Sequence, residues 1–338
     1  MKNTICLFIV LIVSCSSEKN RGILTSNHGY TQGTTYSIRY MSPYGKNMQN
    51  DIDSILFDVD QSLSTYIKES VISKINRNEI NKLDSFCLIV LESALDIANK
   101  TVGAFDPTVA AVVNFWGFGF EEIKVKNETN LSHILNTVGF DKIHINGDKI
   151  VKENPKTQLD FNGIAQGFTV DIIADHFQKI GIKNYMIEIG GELRCKGRNA
   201  EKELWRIGIE KPEQKRNEDH FQAILAIEDL AVASSGNYRK YKIDSLSGVR
   251  YSHSINPKTG QPVQSNLLSV TIINPSCMVA DALATACMIM GLDKSIEYIN
   301  QDSDTEAMII YSRPNGDLEI FQTEALKKMS IYSSQVQK

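Results

Sequence analysis

The chain of 338 residues has no excess of basic side chains: 36 Lys and Arg stand against 40 Asp and Glu, a formal net charge of −4. A nucleic-acid partner wants a basic face, so the balance argues against that class of function. No C-x-x-C pair occurs among the six cysteines, which argues against structural zinc. There is no G-x-S-x-G elbow. A Ser-x-x-Lys nucleophile at Ser234 or Ser235 would need lysine at 237 or 238, where Asn237 and Tyr238 stand. No repeat, heptad run or low-complexity tract is present. What remains is ordinary composition in a length that can bury a large core.

No apolar run at the start is long enough to span a bilayer. Thr4–Val13 is short, follows Met1-Lys2-Asn3 and precedes Ser14-Cys15-Ser16-Ser17, which is the pattern of a secretory signal. Ile12-Val13-Ser14-Cys15 resembles the lipobox of bacterial lipoproteins, in which the cysteine becomes the lipidated N-terminus. The expectation is an exported bacterial lipoprotein, membrane-anchored through Cys15 and facing the periplasm or cell exterior. Several acyl chains give stable anchoring. Residues 1–15 are then signal peptide with the lipid cysteine, 16–29 a tether, and 30–335 the folded domain. Four cysteines remain, Cys87, Cys195, Cys277 and Cys287, read as buried and free.

The stretch from Leu159 to Asp171, LDFNGIAQGFTVD, reads as strand, tight turn and helix. Thr157–Phe161 is a β-like run containing an acid, and Asn162-Gly163 is a turn signal. Ile164, Phe168, Ile172, Ile173 and Phe177 then follow a helical period until Gly181. Such a glycine-flanked helix start suits an anion, although taken alone it is more often plain structure.

Three further places carry chemistry. Asp281 and Thr285 lie four apart on a helix predicted after Pro275-Ser276, so both point to one face. Their oxygens suit a hard cation such as Mg²⁺; a capping acid beside a buried threonine is the alternative. His253 stands at a strand end before the turn Asn256-Pro257-Lys258-Thr259-Gly260, where an imidazole serves as general base or as a hydrogen-bonded turn residue. Ser234-Ser235-Gly236 precedes Arg239, an arrangement for an anion or an ordinary tight turn.

The remaining pattern predicts strands over 36–40, 185–189, 193–196 and 205–210, with 223–227 pairing 231–234 and 238–243 pairing 249–252. Further strands fall at 268–273, 307–311 and 318–321. Helices are expected over 47–63, 85–100, 131–138, 277–290 and 293–299, and from Asp106-Pro107 as N-cap and first residue. Residues 69–76 read as a connector. Hairpins dominate and helices interrupt them: an α+β fold with mostly antiparallel sheet.

Together these segments resemble the FAD:protein FMN transferase family, the ApbE family. Gln32-Gly33-Thr34 is similar to its first glycine-threonine motif, where methionine is usual at 32. Leu63-Ser64-Thr65-Tyr66 is similar to the motif with a flavin-contacting tyrosine. Gly103-Ala104-Phe105-Asp106-Pro107-Thr108 matches G-A-F-D-P-T. Asp160–Asp171 matches D-x-x-x-I-A-K-G-x-x-x-D, with Gln166 where lysine is common. Ser235–Arg239 matches S-G-x-Y-R, His253–Gly260 matches H-x-x-D-P-x-T-G with Asn256 for the acid, and Ala280–Thr285 matches A-D-A-x-x-T.

The resemblance implies an α+β, T-fold-related, two-lobed architecture. It implies FAD as substrate, Mg²⁺ as cofactor, and transfer of FMN to a threonine or serine hydroxyl of an acceptor protein with release of AMP. Asp281, Thr285 and the Gly163 carbonyl would hold the metal, and His253 with Asp281 would be catalytic. Gln32, Tyr66, Ala104, Phe105, Asp106, Asp160, Gln166, Arg239, His253 and Ile255 would line the FAD site. The same residues would serve a Mg²⁺-dependent FAD pyrophosphatase, and a flavin-binding lipoprotein without catalysis is the alternative of another class.

Overall fold

The computed structural model describes residues 22–121, 123, 127–212, 220–237, 241–243, 250–252 and 254–334. The chain opens with a hairpin: β1 (Ile23–Thr31) and β2 (Thr34–Ser42) pair from Ile23↔Ser42 to Thr31↔Thr34. Residues 23–29, expected as tether, are thus strand. β1 is an edge strand of mainly polar residues, so the apolar alternation that announces a strand is missing. Its backbone bonds to β2 and the buried Asn27, whose Oδ1 accepts from Tyr40 at 2.9 Å, hold it in place.

Three helices follow: α1 (Gln49–Leu63), α2 (Val71–Asn76) and α3 (Ser85–Lys100). α1 buries Ile52, Leu56, Val59 and Leu63, one stripe at helical spacing. Asp84 caps α3 by accepting from Cys87 N. α2 replaces the expected connector because Ser70 caps it and Ile72 and Ile75 bury fully. α4 (Ala110–Phe115), α5 (Glu128–Leu135) and the hairpin of β3 (Ile143–Asn146) and β4 (Lys149–Lys152) come next.

The helix predicted to start at Asp106-Pro107 begins only at Ala110. Pro107 O accepts from Asp160 N at 2.8 Å and Val109 bridges Gln158. These residues spend their backbone on the neighbouring segment, leaving no first helical turn. For the same reason 157–161 makes this one bridge and no full strand.

The second half contains α6 (Ala165–Lys179), β5 (Tyr185–Ile189), β6 (Glu192–Lys196), β7 (Trp205–Glu210), β8 (Phe221–Ile227), β9 (Ala231–Gly236), β10 (Tyr241–Ile243), β11 (Arg250–Ser252) and β12 (Leu267–Asn274). It closes with α7 (Cys277–Met290), α8 (Leu292–Gln301), β13 (Glu306–Ser312), β14 (Leu318–Gln322), α9 (Glu324–Met329) and β15 (Ser330–Ser333). The main sheet has eight strands in the order β1-β2-β5-β6-β9-β12-β13-β14, each pair antiparallel. β15-β8-β7 form a second sheet and β10-β11 a short hairpin. The fold class is the mixed, mostly antiparallel one read from the sequence.

One pairing differs. β8 and β9, expected to pair with each other, belong to different sheets: β8 lies between β7 and β15, β9 between β6 and β12. The link Glu228–Leu230 carries the chain from one sheet to the other, and Asp229 takes φ 57° there. The two sheets then bury Leu225, Ile227, Trp205 and Ile207 against Val232, Ile273 and Ile310. The other face of the main sheet packs on helices: Val270, Ile272 and Ile309 share a core with α3, α6 and α7. Covered on both faces, β12 and β13 read as continuous apolar runs. Cys87, Cys195, Cys277 and Cys287 are all buried and unbridged. Among the described residues no helix is long and apolar enough to cross a membrane.

Candidate functional site

Helix α7 meets the turn before α6. Asp281 is buried on α7, and its Oδ2 accepts from Gly167 N at 3.1 Å. Gly167 is the third residue of α6, so its N–H has no intrahelical acceptor and is free to make this bond. Burial pushes the Asp281 carboxyl up to about 7, and the amide opposes that without offsetting it.

One turn along, Thr285 faces the Gly163 turn and β9. A Cβ at Gly163 would lie 3.2 Å from Thr285 Oγ1 and 3.4 Å from the Phe105 ring, so the bare α-carbon is what lets this turn sit on α7. Thr285 Oγ1 is 3.4 Å from Ser235 Oγ at the end of β9. Asp281 thus faces Gly167 and Thr285, one turn along the same helix, faces the Gly163 turn; carboxylate, hydroxyl and backbone carbonyl are hard oxygen donors, the kind a small divalent cation prefers. The donor set fits Mg²⁺: the carboxylate has been desolvated, and no basic side chain among the described residues offsets its charge. Among the described residues no three His, Cys, Asp or Glu side chains converge. A cation here would therefore take one carboxylate and draw its other oxygens from hydroxyl, backbone, water and substrate.

Asp160 and Asp106 form the adjoining wall, joined by the Asp160 N to Pro107 O bond. Asp160 is buried and accepts from Asn162 N at 2.7 Å and Asn162 Nδ2 at 3.2 Å; burial raises its carboxyl. Asp106 is likewise raised by burial, opposed by its hydrogen bonds. Its Oδ1 accepts from Thr108 N and Oγ1, and its Oδ2 from Phe140 N, so the carboxylate closes a turn and does not cap a helix. Tyr66 leaves 66 % of its surface exposed. Its phenol is pushed up first by local desolvation and then by the Asp160 charge, which places it beside that wall.

The other residues singled out by sequence are dispersed around this centre. Gln32 occupies the β1–β2 turn at φ 49° and donates through Nε2 to Thr169 Oγ1 on α6 at 2.8 Å. Its amide also bonds Asp60, whose carboxyl burial raises. Gln32 Oε1 is buried with no hydrogen-bond partner. Gln166 points its amide at the β5–β6 turn, with Nε2 3.0 Å from where a Gly190 Cβ would stand.

Ala104 and Phe105 are buried in the helix-side core. Ile255 is buried with Val112, Phe115 and Leu131 of the α4–α5 unit, so its side chain packs that core. A cavity of about 410 Å³, lined in part by Gly103, Ala104, Asn256, Ile289 and Tyr298, opens one helical turn beyond Thr285. That volume is in the range of small-molecule sites, about 300–1,000 Å³. His253 and Arg239 lie outside the described residues. Ser235, named in the sequence only as part of a turn motif, and Asp60, not named at all, join the site. Ser235 carries a signal as part of the small-residue turn Ser234-Ser235-Gly236; Asp60 has none beyond its place on α1.

Comparison with known proteins shows the family. The ApbE family profile matches residues 32–309. A curated "FAD:protein FMN transferase" of Vibrio cholerae is 37% identical over 313 residues, spanning 89% of this chain and 91% of that protein. One of Haemophilus influenzae is 35% identical and spans 94% of both. Among solved structures, the flavin transferase ApbE from Vibrio cholerae superposes with a TM-score of 0.82 at 35% identity, covering 91% of this chain and 99% of that one. The ApbE protein of Thermotoga maritima gives a TM-score of 0.78 at 27% identity, covering 92% and 100%. With most of its length matched by the profile and by relatives above 30% identity, the chain belongs to the ApbE family.

Proposed function

We propose that this protein is an FAD:protein FMN transferase. In that reaction the hydroxyl oxygen of an acceptor serine or threonine attacks the phosphorus of the FMN half of FAD. The bond to the AMP phosphate breaks, AMP leaves, and the hydroxyl proton passes to a base. The observation that carries the reading is the convergence of the desolvated Asp281 carboxylate with Thr285 and the Gly163 turn, on a chain of this family.

Asp281, Thr285 and the Gly163 carbonyl would hold Mg²⁺, which when bound neutralises the pyrophosphate as the bond breaks. Asp281 brings one negative charge, so a divalent ion would keep net positive charge for the phosphates. The chain's other residues bind and orient. Tyr66 offers an exposed ring for stacking, and the 410 Å³ cavity beyond Thr285 offers volume for a ring system. Gln32, Asp160 and Gln166 present polar groups around the phosphates and sugars. His253 is assigned as base from its motif, and Arg239 as an anion contact. Ala104, Phe105, Asp106 and Ile255 act as framework: their side chains are buried, which leaves backbone as their means of touching FAD.

Export and anchoring through Cys15 belong to the same reading, supported by the lipobox-like Ile12–Cys15. They would place acceptor proteins on the same side of the membrane. The test incubates the protein with FAD, Mg²⁺ and a candidate acceptor domain, with mass spectrometry for covalent FMN and quantitation of AMP. Flavinylated acceptor with equimolar AMP supports transfer. AMP with unmodified acceptor and free FMN makes the protein a pyrophosphatase, and FAD bound without AMP makes it a carrier.

A further inference from the structure

Asp171 lies outside the constellation above, yet it is the most heavily bonded carboxylate near it. It stands on α6, one turn after Gly167, and its side chain is 13% exposed. Its Oδ2 accepts from Ser276 Oγ at 2.8 Å and Met278 N at 3.0 Å. Its Oδ1 accepts from Cys277 N at 3.1 Å and Arg194 Nη1 at 2.8 Å. Three of these four donors are at the start of α7, where the first N–H groups have no partner in their own helix. Ser276 caps the same helix end through Val279 N at 3.3 Å. A negative charge there also complements the helix dipole.

Gly167 and Asp171 are four apart, so one face of α6 touches α7 at two heights. At Gly167 the fit is tight. A Cβ there would stand 2.3 Å from Cys277 O and 2.9 Å from Asp281 Cβ, and the Gly167 N–H donates to Asp281. Glycine lets the helices close up; Asp171 sets how far α7 slides along α6. Cys277 belongs to both contacts, and Asp281 is one turn further on. A change in the Asp171 anchor therefore moves the Asp281 carboxylate relative to Gly163.

We infer that Asp171 is a positioning residue that fixes the register of α7 on α6 and so holds Asp281 and Thr285 in metal-binding geometry. The inference rests on the reading of Asp281 and Thr285 as metal ligands. Mg²⁺ accepts little departure from octahedral geometry, so a small shift of ligands should weaken metal binding before it unfolds the protein.

The test uses Mn²⁺ as probe metal on the FAD-loaded protein, following free Mn²⁺ by EPR, beside metal-free FAD affinity from flavin fluorescence. In Asp171→Asn an amide N–H₂ faces the donors that the carboxylate accepted from. We expect a folded variant with FAD affinity within about twofold of wild type and a Mn²⁺ dissociation constant raised about tenfold. Ser276→Ala, which removes one of the four bonds and leaves Asp171 in place, should raise it about threefold. A folded Asp171→Asn with wild-type Mn²⁺ affinity overturns the inference, because a purely stabilising role would lower the melting temperature alone. If Asp171→Asn does not fold, wild-type Mn²⁺ affinity in Ser276→Ala overturns it. Failure of the functional reading looks different: wild-type protein itself would bind no Mn²⁺ with FAD present.

Discussion

Asp281→Asn separates a metal ligand from a structural acid because burial of the charge predicts a gain in stability, while only the ligand role predicts a loss of activity in the folded protein. The carboxyl is pushed up to about 7 from 3.8 by burial. Between those two values the native protein keeps a proton that the unfolded chain has lost, so stability falls as pH rises through the window. Below about pH 4 both states are protonated and nothing is lost. Above about pH 7 both are ionised and the loss is complete. The difference is about three pKa units, or about 4 kcal/mol at about 1.4 kcal/mol per unit. Asparagine keeps an oxygen for Gly167 N and carries no charge to desolvate.

With metal chelated, Asp281→Asn should therefore match wild type in urea denaturation near pH 4 and exceed it by up to about 4 kcal/mol at pH 8. Activity should go the other way. FMN transfer should drop on the order of 10²–10³-fold or more at saturating FAD, the scale of removing an electrostatic stabiliser. Parallel stability curves from pH 4 to 8 would show that burial of the charge is not the penalty argued here. Retained transfer activity in the folded variant would remove Asp281 from the chemistry altogether.

Tyr66→Ala should raise the FAD dissociation constant about tenfold while changing turnover at saturating FAD by less than about threefold, since ring stacking acts in the ground state as well. Fluorescence titration against flavin tests it, and an unchanged dissociation constant contradicts the stacking role. Cys15→Ala should move the protein from the membrane fraction to a soluble or unprocessed form. An unchanged fraction, with no lipid on the wild-type N-terminus, would count against anchoring at that residue.

What the sequence made legible was local. Asp281 and Thr285 are readable because a helix places i and i+4 together whatever surrounds it, and α7 begins where the sequence predicts, after Pro275-Ser276, with Ser276 capping it. The buried strands β12 and β13 and helices α1 and α3 announced themselves by period or by run. Failures came where distant backbone overrode a local signal. Asp106-Pro107 has the chemistry of a helix start, but its carbonyl is taken by Asp160, far along the chain. The link between β8 and β9 looks like any hairpin turn, and only the packing of two sheets makes it a crossing. The proximity of Ser235 to Thr285 depends on β9 pairing with β12 and on α7 packing against both, a relation no local window contains. β1 was missed because an edge strand needs few apolar residues.

Among the three positions at which this chain departs from the family pattern, Gln32, Gln166 and Asn256, the surroundings of Gln166, where lysine is common, say what the exchange does. Gln166 Nε2 and Glu192 Oε2 come within 3.0 and 3.2 Å of the same point, the place of a Gly190 Cβ. Glu192 is buried, so an ammonium at position 166 would have an acid at hand as well as the phosphates of FAD. Glutamine donates hydrogen bonds to either without adding charge. A unit charge about 6 Å from a phosphate is worth up to about 3 kcal/mol at an effective dielectric near 20. Glu192 would neutralise much of that, leaving about 1 kcal/mol. Gln166→Lys should then tighten FAD binding about fivefold at low ionic strength, with the gain shrinking as salt rises. Glu192→Gln in the same background should enlarge the gain, because the lysine would keep its full charge for the diphosphate. Equal FAD affinity across wild type, Gln166→Lys and the double variant would mean that position 166 does not face the phosphates, and that its amide serves the β5–β6 turn alone.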